Sequence, residues 1–176
     1  MPMKSSFSIG LAEVQVVGGT SVLECSDIGS GVAVVAYDPV GGFVGMGHFL
    51  LPQSFKDQVP VKPAKFIDTG LQHLIRAMVE KGSKTDDLVF AYAGGAQPFK
   101  LDAAVKNPTD IGARNSLAIQ SALNDLDKQA LAIDVGGTCG RSVTADGASG
   151  LVSVRTFLLG EYVLIDFKSP SEEVAA

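Results

Sequence analysis

Residues 32–37, Val-Ala-Val-Val-Ala-Tyr, form an unbroken apolar run rich in β-branched side chains, closed by Asp38-Pro39 and Gly41-Gly42. A run this short, bounded by turn residues, suits a strand covered on both faces. Apolar character resumes at Phe43, continues to Leu51 and stops at Pro52, so the two runs are predicted to pair as a hairpin. Similar short runs predict strands over 21–24, 88–92, 130–135, 141–144, 151–157 and 162–167. Two segments carry a different period. Leu71, Leu74, Ile75, Met78 and Val79 recur at helical spacing and are followed by Gly82 as a stop. Ile119, Ala122, Leu123 and Leu126 repeat that stripe and predict a helix over 112–127. The polar, proline-bearing stretches 53–63 and 97–110 are expected to be exposed loops. Residues 168–176 are expected to be a frayed polar tail. Two helices among about eight strands give an α+β fold, a single-domain mixed β-sandwich over 1–167 with helices covering one face.

Composition narrows the function classes. The chain has 176 residues, 46% hydrophobic and 19% charged, with 14 Lys+Arg against 19 Asp+Glu and a net charge of −5. That apolar content excludes disorder. The acidic balance offers no electrostatic footprint for nucleic acid or an anionic membrane surface. The longest apolar run is too short for membrane insertion. Residues 1–6 lack the apolar core of a signal peptide, so the expected location is cytoplasmic. Two cysteines and two histidines supply neither a disulfide framework nor zinc-ligand spacing, and no metal or cofactor is implied.

The candidate chemistry is therefore small. His48, in Gly45-Met-Gly-His-Phe-Leu-Leu-Pro52, lies at a predicted strand end among small residues. It is either a general base within reach of a substrate or a structural histidine held by a backbone carbonyl. His73 falls one residue off the apolar stripe of the first helix and reads as a solvated helix residue. Gly29-Ser30-Gly31, Gly94-Gly95 and Gly136-Gly137 could bring backbone amides close to a ligand, or could simply make tight turns. None matches a phosphate-binding loop. Cys25 and Cys139 are isolated, and isolated cysteines are mostly small buried hydrophobes.

Taken together, six ordered blocks resemble the CheD family of chemoreceptor glutamine deamidases. Ile28-Gly-Ser-Gly-Val-Ala-Val-Val-Ala-Tyr-Asp-Pro39 is similar to the family's LGSCVAV…YDP block, and Gly45 to Pro52 to its GMAHFMLP block. Lys65-Phe-Ile-Asp-Thr69, Ala93-Gly-Gly-Ala96, Ile111-Gly-Ala-Arg-Asn115 and Asp134-Val-Gly-Gly-Thr138 with Gly140-Arg141 match four more. The resemblance implies a sandwich related to toxin-type cysteine deamidases. It also implies hydrolysis of receptor glutamine amides by a cysteine thiolate, with a histidine as base and then acid. The histidine position is His48. Gly94, Gly95, Gly136 and Gly137 are candidate binding residues, and backbone amides near the nucleophile would hold the oxyanion. Expected partners are the cytoplasmic helices of methyl-accepting chemoreceptors and a CheC-like phosphatase.

The sequence departs from the family at the decisive position. Gly31 stands where the family has its nucleophilic cysteine, at the family's spacing from His48, with Ser30 beside it. Cys25 occupies the position of a family threonine, and Cys139 that of an arginine. The first reading is a family member that binds without standard deamidation, because glycine cannot attack a carbonyl. A second is a deamidase with a relocated nucleophile, Cys25 working with His48. A third is an ordinary deamidase inactivated by engineering at Gly31, although the changes at 25 and 139 look like drift. Outside the family, the runner-up is a non-chemotactic β-rich binding domain.

Overall fold

A computed structural model describes residues 3–99 and 110–170. The 97–110 loop expectation therefore falls largely, and the tail expectation partly, outside the described residues. Ten strands and two helices follow one another as β1 (Ser6–Ser8), β2 (Val14–Gly18), β3 (Val22–Ile28), β4 (Val32–Asp38), β5 (Phe43–Phe49), α1 (Ile67–Glu80), β6 (Val89–Gly94), α2 (Ile111–Asn124), β7 (Ala130–Val135), β8 (Arg141–Asp146), β9 (Leu151–Thr156) and β10 (Gly160–Asp166). They make two five-stranded sheets, ordered β1-β3-β8-β9-β10 and β2-β5-β4-β6-β7. Both helices cover the outer face of the second sheet, giving the expected α+β sandwich.

β4 shows why its run has no polar interruption. All seven residues are buried, because the strand sits at the centre of the second sheet. Ala33, Val35 and Tyr37 face the first sheet, where they meet Leu23, Ile28, Val143 and Val154. Val32, Val34 and Ala36 face the helices and pack with Ile67, Leu71, Leu74 and Ile119. β4 and β5 form the predicted hairpin, in register from Tyr37↔Val44 to Val32↔Phe49. By the same alternation, Val44, Met46 and His48 of β5 face the first sheet, while Phe49 faces the helices. Phe49 is fully buried and fits between strand and helix because Gly47 and Gly70 flank its ring. A Cβ at either would lie 2.5 and 2.7 Å from ring atoms. Burial of a ring of this size contributes about 2–3 kcal/mol and fixes the strand end that carries His48.

α1 begins four residues before the apolar stripe that announced it and ends as predicted. The Gly82 amide bonds the Val79 carbonyl at 2.9 Å and the Ser83 amide that of Met78 at 3.1 Å, with Gly82 at φ 115°. This is a Schellman motif, in which the positive φ favours glycine. The sequence pattern misses β1 and β2. β1 has three exposed residues and exists only by parallel pairing with β3. β2 is an edge strand whose valines are mostly half-buried, so it lacks a clean alternation.

Candidate active site

Gly31 and His48 meet at one end of the second sheet. Gly31 immediately precedes β4, and His48 lies opposite Ala33 on β5, so residues 31, 33 and 48 share the face toward the first sheet. A side-chain carbon at position 31 would lie 3.1 Å from His48 Nε2 and 3.4 Å from its Cδ2. The Gly31 backbone is not in the left-handed region, so an L-residue fits its dihedrals. The tight neighbour is the Phe49 carbonyl oxygen, 2.8 Å from the same point. His48 is 2% exposed, and burial pushes its pKa below the usual 6.5. At neutral pH the ring is uncharged and able to accept a proton. Among the described residues its ring nitrogens have no side-chain hydrogen-bond partner.

Three glycine clusters far apart in sequence form the scaffold of this end. The Gly95 amide bonds the Gly31 carbonyl at 2.8 Å, and the Ala96 amide that of Gly29 at 2.9 Å. The Gly136 amide bonds the Gly94 carbonyl at 3.1 Å, and the Gln97 amide that of Gly137 at 2.9 Å. A Cβ on Gly94 would sit 2.3 Å from the Gly31 carbonyl, and Gly94 adopts φ 137°, so only glycine fits there. The amides of Gly95 and Gly136 are thus used in holding the backbone. The amides of Ser30 and Gly31 donate to no backbone carbonyl among the described residues.

Arg141 ties this scaffold to the first sheet. Its Nη1 bonds the carbonyls of Gly136 at 2.9 Å and of Gly94 and Cys139 at 3.3 Å, while Nη2 pairs with Asp134 Oδ1 at 3.0 Å. The Tyr162 hydroxyl donates to Asp134 Oδ2. Although burial acts in the opposite direction, the bonds from Arg141 and Tyr162 hold the Asp134 carboxyl below the usual range. Burial and then the Asp134 carboxylate push the Tyr162 phenol up to about 12.

The other candidates lie elsewhere. Cys25 is fully buried among Leu23, Ile28 and Val143 in the core between the sheets. Burial, followed by the nearby Asp27 carboxylate, pushes its thiol up to about 12, so it supplies almost no thiolate at neutral pH. Cys139 is half-buried in the turn before β8. His73 is half-exposed on α1, with the second sheet between it and the face that carries His48.

Sequence reasoning assigned no role to Asn115, Asp134, Arg141 or Tyr162. One signal for Asn115 was available. It continues the buried stripe of α2 through Ile119 and Leu123, and a polar residue in such a stripe needs a specific partner. Beside the glycine scaffold, Asp27, Gly140, Arg141, Arg155, Thr156 and Phe157 line an open concavity of about 560 Å³. The β9–β10 turn rises at its edge with Phe157, Leu158 and Leu159 exposed by 96, 71 and 75%. Among the described residues there is no helix long and apolar enough to cross a membrane, and no group of three or more His, Cys, Asp or Glu placed to hold a metal ion.

Comparison with known proteins gives one consistent result. Residues 50–156 match a family described as CheD chemotactic sensory transduction. A probable chemoreceptor glutamine deamidase CheD from Desulforamulus reducens is 37% identical over 153 residues, covering 86% of this chain and 91% of its own length. One from Caldanaerobacter subterraneus is 34% identical, covering 84% and 91%. The chemoreceptor glutamine deamidase CheD of Halalkalibacterium halodurans is 34% identical, covering 90% and 98%.

Proposed function

The chain belongs to the CheD family, and from that premise we propose that it binds chemoreceptors through a deamidase site that has lost its nucleophile. Its relatives are named for deamidation of chemoreceptor glutamines. In the family reaction a thiolate adds to the amide carbon, and the histidine passes a proton to the leaving ammonia. Water then cleaves the thioester to give glutamate. Every step after binding needs the sulfur. The observation that carries the proposal is the 3.1 Å between His48 Nε2 and the point where a side chain at residue 31 would begin. That distance supports His48 as the base of the reading, and Gly31 offers it no side-chain atom to activate. Loss of a covalent nucleophile removes on the order of 10⁶ in rate, since its surviving partners do not substitute for it.

Retained binding draws support from the surface next to the site. The three consecutive exposed apolar residues of the β9–β10 turn, beside the concavity, are a contiguous patch of the kind that marks protein contacts. We assign this face to the receptor's cytoplasmic helices and, by the same family resemblance, to a CheC-like phosphatase. A relocated nucleophile has no comparable support, because the Cys25 thiol is both sealed from solvent and hard to ionise.

The test uses the purified chain and a glutamine-bearing receptor cytoplasmic fragment. Complex formation without ammonia release is expected. Phe157→Ser combined with Leu158→Ser should abolish binding and leave the melting temperature unchanged, since both side chains stand in solvent. Ammonia release by the unmodified chain that disappears in His48→Ala would overturn the loss of chemistry. Absence of any complex would overturn the retained binding.

A further inference from the structure

We infer that Asn115 is the positioning residue that holds residue 31 against His48. The inference takes the Gly31–His48 pair as the site but does not depend on whether that site binds a receptor. The β4–β5 ladder ends at Val32↔Phe49. One step further, Gly31 would face Leu50, and no ladder pair joins them. Asn115 fills this place. Its Nδ2 donates to the Ser30 carbonyl at 2.8 Å and to the Leu50 carbonyl at 2.9 Å. A single NH₂ group thus spans the residue before Gly31 and the residue two after His48. The amide orientation follows from chemistry, because the flipped amide would set its oxygen against two acceptors.

The reach of Asn115 depends on a close approach of α2. A Cβ on Gly112 would lie 2.5 Å from the carbonyl oxygens of both Gly95 and Ala96, so glycine lets the first turn of the helix rest on that backbone. Asp110 caps the same turn by accepting from the Ala113 amide at 2.9 Å. Asn115 is fully buried, and its Oδ1 has no partner among the described residues. Its two bonds therefore go entirely to the two strand ends. The Gly95–Gly31 bond restrains one of those ends against β6. Among the described residues, Asn115 alone spans the gap between Ser30 and Leu50.

Loosening that gap should let water reach His48. Burial alone lowers the pKa of this ring. Glu13, whose backbone carbonyl accepts from the His48 amide, has its carboxylate held by the Gly10 amide. The experiment is a ring-proton NMR titration of the intact chain, in which the two histidines give separate signals. Asn115→Ala should raise the His48 midpoint by about half a pH unit or more, toward the ordinary value. A purely structural role would lower the melting temperature and leave the His48 midpoint where it was, and that result in folded protein overturns the inference. Should Asn115→Ala fail to fold, Asn115→Ser carries the same test, because it keeps a donor too short to hold both carbonyls. Neither ammonia nor receptor enters the measurement, so its failure is distinguishable from failure of the proposed function.

Discussion

Gly31→Cys should return a reactive thiol to the site, at a definable structural cost. The new Cβ falls 3.1 Å from His48 Nε2, and the sulfur lies one bond beyond. Because burial holds His48 neutral, the ring can take the thiol proton at pH 7. A cysteine beside an imidazolium has its pKa brought from about 8.5 into a range of roughly 3.5–7.5. The cost comes from the Phe49 carbonyl, 2.8 Å from the same Cβ, which must yield by a few tenths of an ångström. Overpacking of this kind costs about 1–3 kcal/mol, or about 2–4 °C in melting temperature per kcal/mol for a chain of this size. The assay is alkylation by iodoacetamide between pH 5 and 9, with the modified peptide identified by mass spectrometry and ammonia release followed in parallel. Alkylation of the new thiol should be fast at pH 6–7, and His48→Ala should remove the low-pH limb. Ammonia release should be partial, because among the described residues His48 has no side-chain partner to orient it. A folded Gly31→Cys protein whose new thiol titrates near 8.5, with or without His48, would refute the geometric reasoning.

Two further outcomes follow from the polar groups of the site. The folded pKa of His48 lies below its unfolded value, so the unfolded chain binds the extra proton first. Stability should be fully present above pH 6.5 and fall as the pH drops from there through the folded pKa. His48→Gln should flatten the curve in that window, as read by thermal melts from pH 7.5 to 5. Asp38, Asp134 and Asp146, whose pKa values are lowered, contribute losses only at more acidic pH, so the windows separate. Arg141→Ala should cost about 3 kcal/mol in urea unfolding, because it leaves the half-buried Asp134 without its cationic partner and takes a donor from the Gly136 carbonyl. Retention of wild-type stability by that variant would show that the ion pair is dispensable.

Much of the fold was legible because burial writes periodicity into sequence. β4 is covered on both sides and reads as a continuous apolar run. α1 is covered on one side and reads as a stripe. β1 left no mark because all three of its residues are exposed and its existence rests on backbone pairing with β3. At the site, the glycines were visible as a composition, but their convergence was not. Gly31, Gly94 and Gly136 come together through the β4–β6 and β6–β7 pairings, which join segments 40 and more residues apart. The family resemblance, not periodicity, singled out Gly31 as the vacant position. Spacing from His48 translated into adjacency because the two residues lie on paired strands of one hairpin. Asn115 stayed hidden because its partners are backbone carbonyls, which are the same in every sequence.

The same observation separates ancestry from activity. The parts that hold Gly31 in place are a ladder end, a glycine turn with its backbone bonds, an asparagine bridge and an arginine that closes the rim. Each also satisfies buried backbone groups that would otherwise cost about 1–3 kcal/mol apiece. The demands of a stable sandwich are therefore enough to keep this architecture whether or not residue 31 carries a nucleophile. A surviving scaffold is weak ground for inferring turnover, whereas the nucleophile is not required by the fold. His48 differs from both, because a buried histidine with no side-chain partner among the described residues adds acid sensitivity that a neutral residue would avoid.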